Sequence, residues 1–208
     1  DLDGTIIDSK ECHFRSWKKV FDQHGFPFSR DAYEENFGRN NQTALRIYLG
    51  FDPDRELADT ILQEKEAVFR ERVVEEGQLV LGVRDWLDAA KDRQLTQVIA
   101  SSAPMENIKS VLEAFNLLAY FEALISGTSL PAKPEPDVFI KASREVGCRP
   151  ASCLVIEDSV PGVHAAKNAK MTCIAVATSG NPQALRAADL VIDNFSFPFE
   201  RALTTVFG

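Results

Sequence analysis

Asp1-Leu2-Asp3-Gly4-Thr5 sets two carboxylates two residues apart, followed by a glycine and a hydroxyl. If Asp1 ends a strand and Asp3 begins a loop, both carboxyl groups reach one point in space. Gly4 has no side chain and lets the backbone approach a bound group. Successive loop N–H groups can then form an anion cradle. The set suits a carboxylate nucleophile beside a second carboxyl acting as acid and base, at a site holding a phosphate. Asp-x-Asp-Gly also occurs in calcium loops, which carry further ligands at the fifth and twelfth positions. Those positions hold Thr5 and Cys12 here, so the calcium pattern is not met. A plain surface turn is the other reading of these residues.

Chemistry of this kind needs elements to hold it. From Ser9 to about Gly77 the pattern is helical throughout. Phe14, Trp17 and Phe21 follow helical spacing up to Gly25-Phe26-Pro27, and Ser29 can cap a second helix. Asn41 to Tyr48 predicts a short helix closed by Gly50, and Asp52-Pro53 opens a long one to about Val74. After Gly77 apolar runs alternate with helices. Strands are expected at Gln97–Ala100, Phe121–Ile125, Cys153–Ile156, Thr172–Ala177 and Leu190–Ile192. Helices are expected at Val83–Asp92, Glu106–Phe115, Pro136–Val146 and Pro161–Ala169, with Pro161 at the first helical position. Continuous apolar strands between helices predict a doubly wound parallel α/β sheet covered on both faces. The expected division is a core of residues 1–8 and 80–208, and an inserted all-helical unit of residues 9–79. No apolar strand precedes Asp1, so the first strand of the core is expected to be missing from the sequence.

Ligands in such folds bind beyond the carboxyl ends of the strands. That rule gathers Asp1, Ser101, Glu157 and Asp158 at one edge. Ser101 either donates to a phosphate oxygen or caps the next helix. Lys133 stands in a loop stiffened by Pro131, Pro134 and Pro136. It is either a fixed charge for phosphate and carboxylate or a solvated loop lysine. Glu157 and Asp158 either favour the next helix N-terminus, which Ser159 can cap, or join Asp1 and Asp3. Four converging acids repel one another unless a cation compensates. Mg²⁺ suits an all-oxygen set that bridges to phosphate, and no His or Cys cluster supports zinc.

In combination these residues resemble the haloacid dehalogenase superfamily. Its four motifs stand in order: Asp1-Leu2-Asp3-Gly4-Thr5, Ser101, Lys133 before Pro134, and Glu157-Asp158. The helical insertion resembles the cap of the first subclass. Asp8-Ser9 and His13-Phe14-Arg15-Ser16-Trp17-Lys18 resemble its β-phosphoglucomutase-like group. The resemblance implies that Asp1 attacks phosphorus and that Asp3 protonates the leaving oxygen. Ser101 and Lys133 would hold the transferring oxygens. It implies Mg²⁺ on Asp1, Asp158 and the Asp3 backbone oxygen, with Glu157 supporting that shell. Substrate contacts are expected from Gly4, Thr5, Ser102, His13, Arg39, Asn41 and Lys65. An aspartate at Asp3 points to phosphate-ester chemistry rather than dehalogenation.

His13 and Lys65 match positions used by the mutase. Where the mutase grips a distal phosphate with arginine, however, this chain aligns Asn41, and Arg39 stands two residues early. Asparagine cannot replace a bidentate phosphate clamp. The reading is therefore a Mg²⁺-dependent phosphatase of a small metabolite, a sugar phosphate for choice; a β-phosphoglucomutase and a non-catalytic binding module are the alternatives. Lys65 shares a helical stripe with Leu57, Ile61 and Val68, so it is either enclosed or snorkels to water.

Composition sets the outer limits. The 208 residues are 45% hydrophobic, enough for one good core or a core plus a small unit. A net charge of −8, from 31 acidic and 23 basic residues, argues against a nucleic-acid partner. No run reaches membrane-spanning length. Cys12, Cys148, Cys153 and Cys173 lack metal-ligand spacing, and three of them are expected as buried thiols of a cytoplasmic protein. The expected partner is a small phosphorylated molecule, bound by a monomer.

Overall fold

The structure is a computed structural model that describes residues 1–37 and 40–208. It divides into two compact units, Asp1–Asp8 with Gln78–Gly208, and Ser9–Gly77. In chain order, β1 (Ile7–Asp8) precedes the helices α1 (Lys10–Gln23), α2 (Arg30–Asn36), α3 (Asn41–Leu49) and α4 (Arg55–Glu76).

Three helices of the second unit begin on residues suited to the task. Ser29, Asn40 and Asp54 accept N–H bonds from Ala32, Thr43 and Leu57 at the starts of α2, α3 and α4. Each such cap is worth about 1 kcal/mol. Gly50 closes α3 at φ +74°, where a side chain would be strained. The helices close on Trp17, Val20, Phe21, Leu45, Ile61 and Val68, all buried. Phe28 links this core by its ring, 5.1 Å from Phe21 and 4.9 Å from Tyr48. Such offset and edge contacts add about 0.5–1.5 kcal/mol each to simple burial.

The other unit continues with β2 (Gln78–Leu79), α5 (Val83–Asp92), β3 (Val98–Ser101), α6 (Met105–Ala114), β4 (Ala123–Ser126) and α7 (Asp137–Glu145). It ends with β5 (Leu154–Glu157), α8 (Val160–Asn168), β6 (Thr172–Val176), β7 (Leu190–Ile192) and α9 (Phe199–Phe207). Strands β3 and β4 pair in parallel, as do β5, β6 and β7. The Asp1 nitrogen joins this edge to the first motif by donating to the Ile156 carbonyl at 2.9 Å. One core runs through Ala100, Ile125, Val138, Val155, Val163 and Cys173, so strands and helices bury a common apolar layer. This is an α/β fold with parallel sheets and helices.

Several expectations shift here. Ser101 and Glu157 are the last residues of β3 and β5, not the first residues beyond them. Pro161 is the second residue of α8, since Val160 opens the helix; its missing N–H is still harmless in that turn. The antiparallel pair β1–β2 is two residues per strand, below what alternation reveals. Helix α9 was not expected, because Ala202 is its one fully buried residue. Of the cysteines, Cys12 and Cys173 are buried and Cys148 and Cys153 are half-buried, all four as free thiols. The apolar run at Cys153 begins only with β5, one residue later. Among the described residues no helix is long and apolar enough to cross a membrane.

Candidate active site

The first motif folds into a tight loop. The Leu2 carbonyl accepts the N–H groups of Thr5, Ile6 and Ile7 at 3.3, 2.7 and 3.2 Å, and the Gly4 N–H donates to Ile7 at 2.7 Å. The anion cradle expected of Gly4 and its successors therefore does not form there, because those donors close the loop on itself. Gly4 serves instead by what it lacks. At φ +77°, a Cβ on Gly4 would lie 2.1 Å from Asp158 Oδ2. The loop is fastened from outside by Thr178, whose hydroxyl donates to the Gly4 carbonyl at 2.5 Å. Thr5 is buried behind the loop, and Ser102 is exposed just after β3.

Lys133 is the hub. Its ammonium donates to Asp1 Oδ1 at 2.7 Å and to Glu157 Oε1 at 2.5 Å, and lies 4.9 Å from the Phe139 ring centroid. Only 9% of its side chain is exposed, so the solvated-lysine reading fails. Charge-assisted bonds of this length are about twice as strong as neutral ones. Glu157 is fully buried, and its second oxygen accepts from the Asp158 N–H, the Ser159 N–H and the Ser159 hydroxyl at 2.8, 2.7 and 2.9 Å. The Ser159 hydroxyl also accepts from Gly162 N–H at 3.1 Å and so caps α8.

Carboxylate oxygens of Asp1, Glu157 and Asp158 lie within 4.8 Å of one another. The electrostatics follow from that crowding. Burial and then the Glu157 charge push the Asp158 carboxyl up to about 8, with Asp3 adding to the effect. Burial would also raise Glu157, but the Lys133 charge and bond, with the Ser159 N–H, outweigh it and hold Glu157 below the usual carboxylate range. One ammonium thus bridges Asp1 and Glu157, with the Asp158 carboxyl beside them. An all-oxygen cluster of three acids within 4.8 Å fits a hard divalent ion such as Mg²⁺.

Ser101 is buried at the end of β3, and its hydroxyl oxygen accepts the Ala103 N–H at 3.1 Å. It does not cap α6, whose N-cap is Pro104, so the capping reading fails.

The remaining candidates lie in the helical unit. Lys65 is 1% exposed and does not snorkel. Its ammonium donates to Glu66 Oε1 at 2.9 Å, under the rings of Trp17 and Phe69. Asn41 donates to the same Glu66 oxygen. His13 stacks on Phe69 at 4.1 Å. Arg39 lies outside the described residues. The sequence reading missed Glu66 and Thr178. Glu66 follows Lys65 directly, and a buried lysine demands such a partner; Thr178 follows β6 as Ser101 ends β3, at a strand end.

The family model described as haloacid dehalogenase-like hydrolase matches residues 1–176. The chain belongs to the haloacid dehalogenase-like hydrolases. Among relatives, it is 31% identical to a β-phosphoglucomutase of Bacillus subtilis over 201 residues, covering 92% of this chain and 86% of that protein. It is 30% identical to hexitol phosphatase B of Escherichia coli over 179 residues, covering 85% and 81%. In structure, this haloacid dehalogenase-like chain is similar to CbbY from Rhodobacter sphaeroides, solved in complex with phosphate. That match has a TM-score of 0.86 at 25% identity, over 95% of this chain and 93% of the other. The relatives span phosphatases and a phosphosugar mutase, and this chain stands in that group of haloacid dehalogenase-like enzymes.

Proposed function

We propose that the protein is a Mg²⁺-dependent phosphomonoesterase acting on a small phosphorylated metabolite, a sugar phosphate by preference. The observation that carries the reading is Lys133 bridging Asp1 and Glu157, with carboxylate oxygens of Asp1, Glu157 and buried Asp158 within 4.8 Å of one another. Asp1 sets its carboxyl group against the Lys133 ammonium in a nearly enclosed site, a place for a nucleophile toward phosphorus. In the proposed sequence an Asp1 oxygen attacks phosphorus, and the bond to the leaving oxygen breaks as Asp3 gives it a proton. Water then attacks the aspartyl phosphate and loses its proton to Asp3, which releases phosphate and restores Asp1. Lys133 and Ser101 orient the phosphoryl oxygens, so catalysis is positioning plus charge stabilisation. Asp1, Asp158 and the Asp3 backbone oxygen would hold Mg²⁺, which supplies charge neutralisation to the phosphoryl group when bound. Glu157, with both oxygens taken, supports that set.

We assign substrate selection to the helical unit, to His13, Asn41 and Lys65. Asn41, which stands at the position aligned with the mutase arginine, gives its amide to Glu66, and this supports hydrolysis over mutase action. Hydrolysis of an aryl phosphate should require Mg²⁺ and vanish in Asp1→Asn. Metal-independent hydrolysis, or activity surviving Asp1→Asn, would overturn the mechanism. Conversion of β-glucose 1-phosphate to the 6-phosphate, primed by the bisphosphate, would replace the phosphatase reading with the mutase.

A further inference from the structure

Gly162 is the third residue of α8, a helix capped by Ser159, one of the Glu157 partners. Glycine is a poorer helix former than alanine, so its presence there needs a reason. The reason is on the other side of the turn. A Cβ on Gly162 would lie 1.8 Å from Glu157 Oε1, 1.9 Å from its Cδ and 2.3 Å from Oε2. A flexible carboxylate could ordinarily swing aside. This one is fully buried and holds Lys133, two backbone N–H groups and the Ser159 hydroxyl, at 2.5 to 2.9 Å. Moving it breaks that set and frees Lys133 from one of its two anchors.

We propose that Gly162 is a positioning residue for the phosphoryl-transfer site, and that the space left by its missing side chain is the seat of the Glu157 carboxylate. The inference rests on the phosphatase reading only for its link to activity; the steric coupling stands apart from it. The test is a cycle of Gly162→Ala, Glu157→Asp and the double variant. Shortening Glu157 by one methylene draws its carboxylate back toward β5, out of reach of the new methyl. Melting is followed without metal, Mg²⁺ affinity by calorimetric titration, and kcat/KM on an aryl phosphate. Gly162→Ala should lower Mg²⁺ affinity or kcat/KM by about 10- to 100-fold, the range for partners that orient metal ligands. It should also lower the metal-free melting temperature, against its helix propensity. In the Glu157→Asp background the same change should cost nothing in any of the three readouts. Additive losses, a Gly162→Ala protein like wild type, or a double variant that fails to fold while Glu157→Asp folds, would each overturn the proposal. If Gly162→Ala alone fails to fold, recovery of folding in the double variant supports it. A wild-type protein without Mg²⁺-dependent hydrolysis would sink the phosphatase reading and leave the melting cycle to decide this one.

Discussion

Replacing Lys133 with methionine keeps most of the side-chain volume and removes the charge. Two short bonds disappear, 2.7 Å to Asp1 and 2.5 Å to Glu157. Both acids are nearly enclosed, their side chains 9% and 1% exposed. Breaking a buried pair from one side costs about 3–5 kcal/mol, because the remaining charge is left uncompensated. Glu157 keeps three N–H and O–H donors, which places the expected loss near the lower end, about 3 kcal/mol. For a chain of this length 1 kcal/mol moves the melting temperature by about 2–4 °C, so a drop of about 6–12 °C is expected. The assay is thermal melting in EDTA at neutral pH, repeated in millimolar Mg²⁺. The ion should restore part of the loss, since it supplies the missing positive charge. Hydrolysis should stay lost in both. A Lys133→Met protein that melts within about 1 °C of wild type in EDTA would refute the compensation argument on which the site rests.

Further expectations follow from the same geometry. With Asp158 pushed up to about 8 from an ordinary value near 3.8, the metal-free fold binds one more proton than the unfolded chain between those limits. Its stability should therefore fall as pH rises toward 8, by at most about 1.4 kcal/mol per pH unit, and Mg²⁺ binding should tighten with release of about one proton; melting in EDTA and calorimetry in two buffers measure these. Gly4→Ala must fit a methyl 2.1 Å from Asp158 Oδ2 at φ +77°, so it should lose about 1–2 kcal/mol from the backbone alone and weaken Mg²⁺ binding, read by urea unfolding and titration. Phe21→Ala removes a buried ring that meets Trp17 and Phe28, and should cost about 3–5 kcal/mol, visible in the near-ultraviolet dichroism of Trp17.

The strands were legible where apolar residues run unbroken, as from Cys153 to Ile156, because a doubly covered strand must be apolar on both faces. Periodicity stops at Glu157 although the strand does not. A buried acid held by Lys133 and three donors looks the same in sequence as an exposed one. Lys65 shows the same limit from the other side. Its stripe with Leu57, Ile61 and Val68 pointed to an enclosed face, yet only coordinates reveal that Glu66 takes its charge. That Asp1, Glu157 and Asp158 come together was readable from their expected places at one edge of the sheet. The loop after Asp3 was not, because whether an N–H faces a ligand or a neighbouring carbonyl depends on dihedrals. Here the Leu2 carbonyl claimed three of them.

The Ser159 hydroxyl gives to Glu157 and takes from Gly162, at 2.9 and 3.1 Å. Fraying at the head of that helix and loosening of the glutamate are consequently one event. The Gly162 amide becomes a natural reporter: deuterium uptake there should slow when a divalent ion quiets the neighbourhood and quicken when the charges are left to quarrel. A single peptide probe, followed in time, would register occupancy of the catalytic edge without any substrate being turned over.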